Sequence, residues 1–209
     1  MKISPKTGFY ALMAILRPSD KSLRGIVLAG GQSKRFGSDK ALAQWGGVSF
    51  LEKTLETLRS FDKEPVIITR PGANYDFKAC RVEKDLIPGL GPLGGLDTAF
   101  HLFRESILLV LTCDMPLVSA KTLHRLLSEY DPRVESMHFR GADGQIQPFP
   151  GLYDAFLLRD RARKSLRSKQ YSVRTFIHSS GRIKILCGEY FRKELVNMNY
   201  QHDVNQSIQ

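Results

Sequence analysis

From Lys21 onward, short apolar runs alternate with stretches whose apolar residues recur every three or four positions, the pattern of strands joined by helices. Gly25-Ile26-Val27-Leu28-Ala29 reads as a buried first strand, followed by a glycine-containing loop that runs to about Gly47. Ser49-Phe50-Leu51-Glu52 has the spacing of a capping box, and Leu51, Leu55 and Leu58 follow at i, i+4, i+7, so a helix begins there. Pro65-Val66-Ile67-Ile68-Thr69 is a second strand and Cys80-Arg81-Val82-Glu83 a weaker third, after which Pro88 to Gly95 leads into a helix reaching Phe103. Ile107-Leu108-Leu109-Val110-Leu111-Thr112-Cys113 is the most apolar run in the chain and shows no alternation, as expected of a central strand buried on both faces. It ends in Asp114. Leu123, Leu126, Leu127 and Tyr130 predict the next helix. Met137-His138-Phe139 and Ile146-Gln147-Pro148-Phe149 bracket a turn at Gly141-Ala142-Asp143-Gly144, Asp154 caps a basic helix to about Ser168, and Arg182-Ile183-Lys184-Ile185-Leu186 is the last strand. The pattern predicts a three-layer α/β/α sandwich with a mostly parallel, Rossmann-like sheet, its active site above the carboxyl ends of the first and central strands.

A chain of 209 residues suits one domain, expected over 24–209, with residues 1–23 as an N-terminal extension. Within that extension Phe9 to Leu16 is an apolar run too short to span a bilayer, and Arg17-Pro18-Ser19-Asp20 stands where a leader would have small residues for cleavage. A short docked helix or a loose extension is the expectation. Hydrophobic residues at 42% and charged residues at 25% exclude a disordered or fibrous chain. The net charge of +10 favours a polyanionic partner, whether nucleic acid, acidic lipid or a phosphorylated small molecule. No zinc spacing, helix-turn-helix signature or aromatic interleaving supports nucleic-acid reading, so no nucleic-acid or membrane partner is expected. Cys80, Cys113 and Cys187 are too scattered for a zinc ribbon or disulfide framework, which fits a reducing cytoplasm. The histidines form no HExxH pair, and Ser33 lacks the glycine-flanked elbow of a serine hydrolase.

The chemistry concentrates in the loop Leu28-Ala29-Gly30-Gly31-Gln32-Ser33-Lys34-Arg35-Phe36-Gly37-Ser38-Asp39-Lys40. Glycines allow backbone N–H groups close to phosphate oxygens, and Lys34, Arg35 and Lys40 add charge-assisted donors. The loop is neither a P-loop, which needs Lys-Ser/Thr where Ser38-Asp39 stands, nor a Gly-x-Gly-x-x-Gly turn. Triphosphate binding and a solvated glycine turn both remain open from composition alone. Asp114, closing a buried strand, is a ligand site or a loop cap before Pro116. Asp85 is a rim residue or a turn residue ahead of a glycine loop. Residues 159–169, rich in Arg and Lys, form a solvated helix face or a surface for an anionic cofactor or partner.

The loop closely resembles the signature of molybdenum cofactor guanylyltransferases, nucleotidyltransferases with a Leu-Ala-(Gly/Ala)-Gly opening. Asp85 before Gly91-Pro92-Leu93-Gly94-Gly95, Cys113-Asp114-Met115-Pro116, Gln147-Pro148-Phe149-Pro150-Gly151-Leu152-Tyr153 and Asn197-Met198-Asn199 resemble further motifs of that family, in its order. Two departures stand beside these: Tyr200-Gln201-His202-Asp203 replaces the family's Thr-Pro-Glu-Asp/Glu, and Thr69 occupies a position where some members carry asparagine. The resemblance implies a fold of the nucleotide-diphospho-sugar transferase type with one antiparallel strand near Ile146. It implies transfer of GMP from GTP to the terminal phosphate of molybdenum-molybdopterin, with release of pyrophosphate. Leu28, Ala29, Gly30, Gly31, Lys40, Thr69, Asp85 and Asp114 would bind the nucleotide, with Arg35, Lys40 and Asp114 catalytic, Asp114 on Mg2+, and Asn197 and Asn199 on the pterin. Molybdenum-insertion proteins and recipient molybdoenzymes would be transient partners. Alternatives are a nucleotidyltransferase using CTP or another phosphorylated acceptor, and an inactive nucleotide-binding protein for cofactor delivery.

Overall fold

Parallel pairing of the predicted strands organises the computed structural model, which describes residues 21–31, 39–77 and 80–198. Arg35, Asn199 and the apolar run at 9–16 lie outside the described residues. The strands are β1 (Ser22–Leu28), a short hairpin of β2 (Gln44–Trp45) and β3 (Val48–Ser49), β4 (Val66–Thr69), β5 (Arg81–Lys84), β6 (Ser106–Thr112), β7 (Ser136–Arg140), β8 (Ile146–Asp154) and β9 (Ile183–Cys187). The large sheet has the order β5-β4-β1-β6-β8-β7-β9. β8 is antiparallel to both its neighbours, and every other pairing in that sheet is parallel. The fold is therefore a mostly parallel sheet flanked by helices, with the expected antiparallel strand at Ile146.

Local chemistry sets the helix starts. In α1 (Phe50–Arg59) the Ser49 hydroxyl accepts from the Glu52 amide while the Glu52 carboxylate accepts from the Ser49 amide, a complete capping box. Ser119 caps α3 (Ala120–Ser128), Asp154 caps α4 (Ala155–Arg167) and Ser172 caps α5 (Val173–His178). α2 (Gly91–Leu102) has no side-chain cap and begins instead with Pro92 in its first turn. Gly89 and Gly91 carry φ of +83° and +64°, a reversal that L side chains resist, and this delivers the chain from Asp85 into α2.

The helices form two layers. Gly25 faces Leu58 of α1 and Leu28 faces Gly95 of α2, and residues three apart on a strand point to opposite faces. Phe61, just after α1, meets His124 of α3 edge to face at 4.8 Å, whereas Arg163 of α4 pairs with the buried Asp97 of α2 at 3.0 Å on the other side. β6 between these layers is buried from Ser106 to Leu111. Leu158, Ala162 and Leu166 put α4 into the core as predicted, but its cations are not all a solvated face. Arg161 binds Glu135 and Ser180, and Arg163 binds Asp97, so two of them cross-link the fold.

The structure also departs from the expected boundaries. β1 begins at Ser22, pairing with Ser106, because the edge-to-edge ladder with β6 continues past the apolar run. α3 stops at Ser128, leaving Tyr130 beyond its end. β8 runs on to Asp154, and α5 and the β2–β3 hairpin had no expected counterpart.

His138 lies in the deepest part of β7, fully buried, with one ring nitrogen 2.9 Å from the Ser136 hydroxyl and its ring 5.1 Å from that of Tyr153. Burial pushes its pKa down to about 3, so it is neutral in the folded chain. The unfolded chain binds this proton near pH 6.5 and the folded chain does not, so stability is full above that pH and falls as pH drops toward 3. Between pH 7 and pH 5 the expected loss from this one residue is about 2 kcal/mol. Urea unfolding of His138→Gln should show that much less pH dependence than the parent, and an unchanged slope would refute the assignment.

Candidate active site

Three strands end level at one edge of the sheet. Leu28 is in register with Ile68 on one side and Thr112 on the other, and the Ala29 amide donates to Ile68 at 2.8 Å while Cys113 donates to Leu28 at 3.2 Å. Immediately beyond that edge come residues 29–31, Thr69, Asp85 and Asp114. With Lys40, the expected nucleotide-binding residues come from five separate stretches of chain that meet at this edge.

Asp39 and Lys40 return to the same edge after the loop. The Asp39 side chain caps a 3-10 turn, Lys40–Leu42, by accepting from the Ala41 amide at 3.1 Å. That places the Lys40 ammonium 3.1 Å from Oδ2 of Asp114, in a pair that is mostly shielded from water. The other oxygen of Asp114, Oδ1, is buried and has no hydrogen-bond partner among the described residues. A carboxylate held this way has one neutralised oxygen and one whose hydrogen-bonding capacity is unmet.

Asp85 lies against the Gly30 turn. A Cβ on Gly30 would stand 3.1 Å from Oδ2 of Asp85, and one on Gly95 would stand 3.0 Å from Leu28 and 3.6 Å from Oδ1 of Asp85. Both glycines keep the carboxylate tucked between the first loop and the start of α2. The Asp85 amide donates to Thr69 at 2.8 Å and the Leu86 amide to the Thr98 hydroxyl at 3.0 Å, which fixes the turn. Oδ1 is again buried without a partner among the described residues, and burial raises the Asp85 pKa to about 6. Thr69 is fully buried, its hydroxyl 3.4 Å from the Ala29 carbonyl, so it orients backbone rather than facing outward.

The far end of the site is built by the C-terminal segment. The Met198 amide donates to the Asp114 carbonyl at 2.8 Å and its side chain is buried against Phe50. Asn197, one residue earlier, is exposed. Asp39, Tyr75, Arg70 and Met198 also belong to this neighbourhood and were not among the expected site residues. Asp39 had a signal, since it directly precedes the lysine and is a residue type that caps turns. Tyr75 had none, because it sits in an irregular loop. Among the described residues no helix is long and apolar enough to cross a membrane.

The MobA-like NTP transferase domain matches residues 25–183. The molybdenum cofactor guanylyltransferase of Xanthomonas euvesicatoria pv. vesicatoria (strain 85-10) is 32% identical over 184 residues, 84% of this chain and 88% of that protein. The chain belongs to this family of nucleotidyltransferases. Solved structures agree on the fold: molybdopterin-guanine dinucleotide biosynthesis protein A from Archaeoglobus fulgidus superposes with a TM-score of 0.73 at 19% identity, covering 88% of this chain and 96% of that one. The 2-C-methyl-D-erythritol 4-phosphate cytidylyltransferase of Thermus thermophilus gives 0.69 at 17% identity, covering 89% and 97%.

The raised pKa of Asp85 makes this residue a cost to the nucleotidyltransferase fold above pH 6. A folded pKa of about 6 against 3.8 means that the folded chain binds the proton more tightly, so this carboxylate's stability contribution declines as pH rises through 6. Asp85→Asn removes the charge. Thermal unfolding should show the variant more stable than the parent at pH 8, by about 1 kcal/mol after allowing for solvent screening of a half-buried group, and equal to it at pH 4. A variant less stable at pH 8 would sink this account.

Proposed function

We propose that the chain transfers GMP from GTP to the terminal phosphate of molybdenum-molybdopterin, forming the guanine dinucleotide and releasing pyrophosphate. The observation that carries the reading is the Lys40–Asp114 pair at the level strand edge, with Oδ1 of Asp114 buried and without a partner among the described residues. The acceptor phosphate is already an anion and needs no general base. What the protein has to supply is alignment of two polyanions and relief of their repulsion. The amides of Gly30 and Gly31 approach the triphosphate, and Lys40, joined by Arg35, offsets its charge. Asp114 would hold a metal ion beside the phosphates, and Lys40, paired with its other oxygen, keeps its ammonium at the same position.

Mg2+ fits the donor set at this position. Magnesium takes hard oxygen ligands, keeps several waters and commonly binds through one or two carboxylates with substrate phosphates. Oδ1 of Asp114, buried and without a partner among the described residues, would be such a ligand. Among the described residues no cluster of three or more acidic, histidine or cysteine side chains lies together, so Asp114 would be the chain's contribution and the remaining ligands would be water and substrate oxygens. When bound, the ion would neutralise charge on the phosphate oxygens.

Asp85 supports guanine as the base. Its carboxylate, with one oxygen buried and without a partner among the described residues, accepts hydrogen bonds, and the guanine edge presents two adjacent N–H donors, where cytosine offers one donor beside two acceptors. Asn197, beside the Met198 anchor, and Asn199 take the pterin, whose mixed edge suits amide donors and acceptors. The enzyme works in the cytoplasm as a single domain over 24–209, without a nucleic-acid or membrane partner, and hands its product to molybdenum-insertion proteins or recipient molybdoenzymes.

Pyrophosphate release with molybdopterin and each of the four nucleoside triphosphates tests the reading. GTP should turn over and CTP should not; turnover with CTP would move the activity to a cytidylyl transfer, and tight binding with no turnover would make the chain a delivery protein. Asp114→Asn should lower GTP turnover by about a hundredfold or more, the scale of losing electrostatic stabilisation at the reacting centre. Asn197→Ala should weaken molybdopterin binding by about tenfold and leave GTP affinity within about a factor of two. Equal losses for both substrates would refute the division into a nucleotide side and a pterin side.

A further inference from the structure

Tyr75 is buried to 8% exposure, with its ring in the main core 6.4 Å from that of Phe77. Its hydroxyl reaches both oxygens of Asp39, at 3.1 and 2.9 Å, and stands 3.4 Å from the Ala29 carbonyl. A phenylalanine would fill the same apolar space. The hydroxyl therefore has a separate task, and its partners say what that task is. Asp39 is the residue whose carboxylate caps the turn from which Lys40 projects, and Ala29 begins the glycine loop. One rigid, core-anchored donor thus holds the Asp39 end of the first loop, and the Ala29 carbonyl at the other end lies within 3.4 Å of the same hydroxyl. Arg70, 3.9 Å from Asp39 and more exposed, adds charge without comparable anchoring.

We propose that Tyr75 is a positioning residue for Lys40, acting through the Asp39 cap. It rests on the reading of Lys40 as the cation that serves the phosphates, and it adds how that cation is held before any substrate arrives. Lysine has a flexible four-carbon stem and loses much rotamer freedom when fixed. Fixing the backbone turn beneath it is the economical way to keep the ammonium at Asp114. Burial and the neighbouring Asp39 charge hold the Tyr75 phenol well above its usual range, so it remains an O–H donor throughout the working pH.

Chemical labelling of Lys40 tests this without nucleotide. The full chain is treated with limiting acetic anhydride, and acetylation of Lys40 is measured by peptide mass spectrometry against the exposed Lys164 as internal reference. Tyr75→Phe and Asp39→Ala should each raise the Lys40 to Lys164 ratio by about fivefold, the factor worth one lost hydrogen bond, and the double variant should rise no further than the larger single effect. In turnover, Tyr75→Phe should lower GTP-dependent pyrophosphate release in the parent but not in a Lys40→Ala background. An unchanged labelling ratio in Tyr75→Phe overturns the proposal, as does a rise shared equally by all lysines. Additive effects of the two substitutions overturn it too. A parent protein that does not transfer GMP would refute the proposed function instead, and the labelling ratio would still decide the role of Tyr75.

Discussion

The level carboxyl edge of β4, β1 and β6 is the constraint on which the site depends. Leu28 is held between Ile68 and Thr112 by evenly spaced parallel hydrogen bonds, and one further bond on each side carries the ladder to Ala29 and Cys113. A one-residue slip of β1 would turn Leu28 away from Gly95 and expose the wrong face of the strand to each helix layer. Because the strand is buried on both faces, such a slip has no cheap alternative packing. Register is thereby converted into the positions of Gly30, Asp85 and Asp114, none of which is adjacent to another in sequence.

That edge tolerates charge which the rest of the interior does not. Elsewhere the buried carboxylates are matched: Asp97 with Arg163, Glu135 with Arg161 and Arg182, Asp154 with Lys21. At the edge, Asp85 and Asp114 each keep a buried oxygen without a partner among the described residues. Leaving a charged acceptor unmatched is costly, and such costs persist where a ligand supplies the missing partner. Cys113, next to Asp114 in the chain, is kept a neutral thiol by burial and by the adjacent Asp114 charge.

Much of this was legible in the chain. Apolar runs without alternation identified β1, β4 and β6, and the Ser49-Glu52 spacing and Asp154 identified two helix starts, because burial on both faces and capping leave signatures within a few residues. Lys40, Asp85 and Asp114 stood out as charged residues at the ends of apolar strands or glycine loops. What escaped depends on distance along the chain. Tyr75 meets Asp39 across 36 positions, and the pairing of Arg163 with Asp97 spans 66, so neither produces a local pattern. α5 is a single short helix whose burial of Phe176 against Phe100 exists only once the sheet has formed. The far half of β8 lay beyond the expected Ile146–Phe149: the strand continues through Pro150 and Gly151 because β6 and β7 pair with that half on both sides.

The two ends of the site share one small block of core, and this bears on how transfer between two bound polyanions is arranged. Phe50 donates its amide to Ala43, just after the Lys40 turn, and its ring packs on Met198, whose amide holds the Asp114 carbonyl. Ala43, Trp45 and Leu117 close around the pair. The lysine turn, the Asp114 loop and the C-terminal segment therefore cannot shift independently. In-line displacement without a general base depends on the separation of nucleophile and phosphorus, and an error of about 1 Å can cost about two orders of magnitude in rate. A dry packing contact sets such a separation better than exposed polar contacts, which exchange with water and adjust. Phe50 is itself fixed at the start of α1 by the capping box one residue earlier, so the distance between the two halves traces back to a helix start written in four consecutive residues.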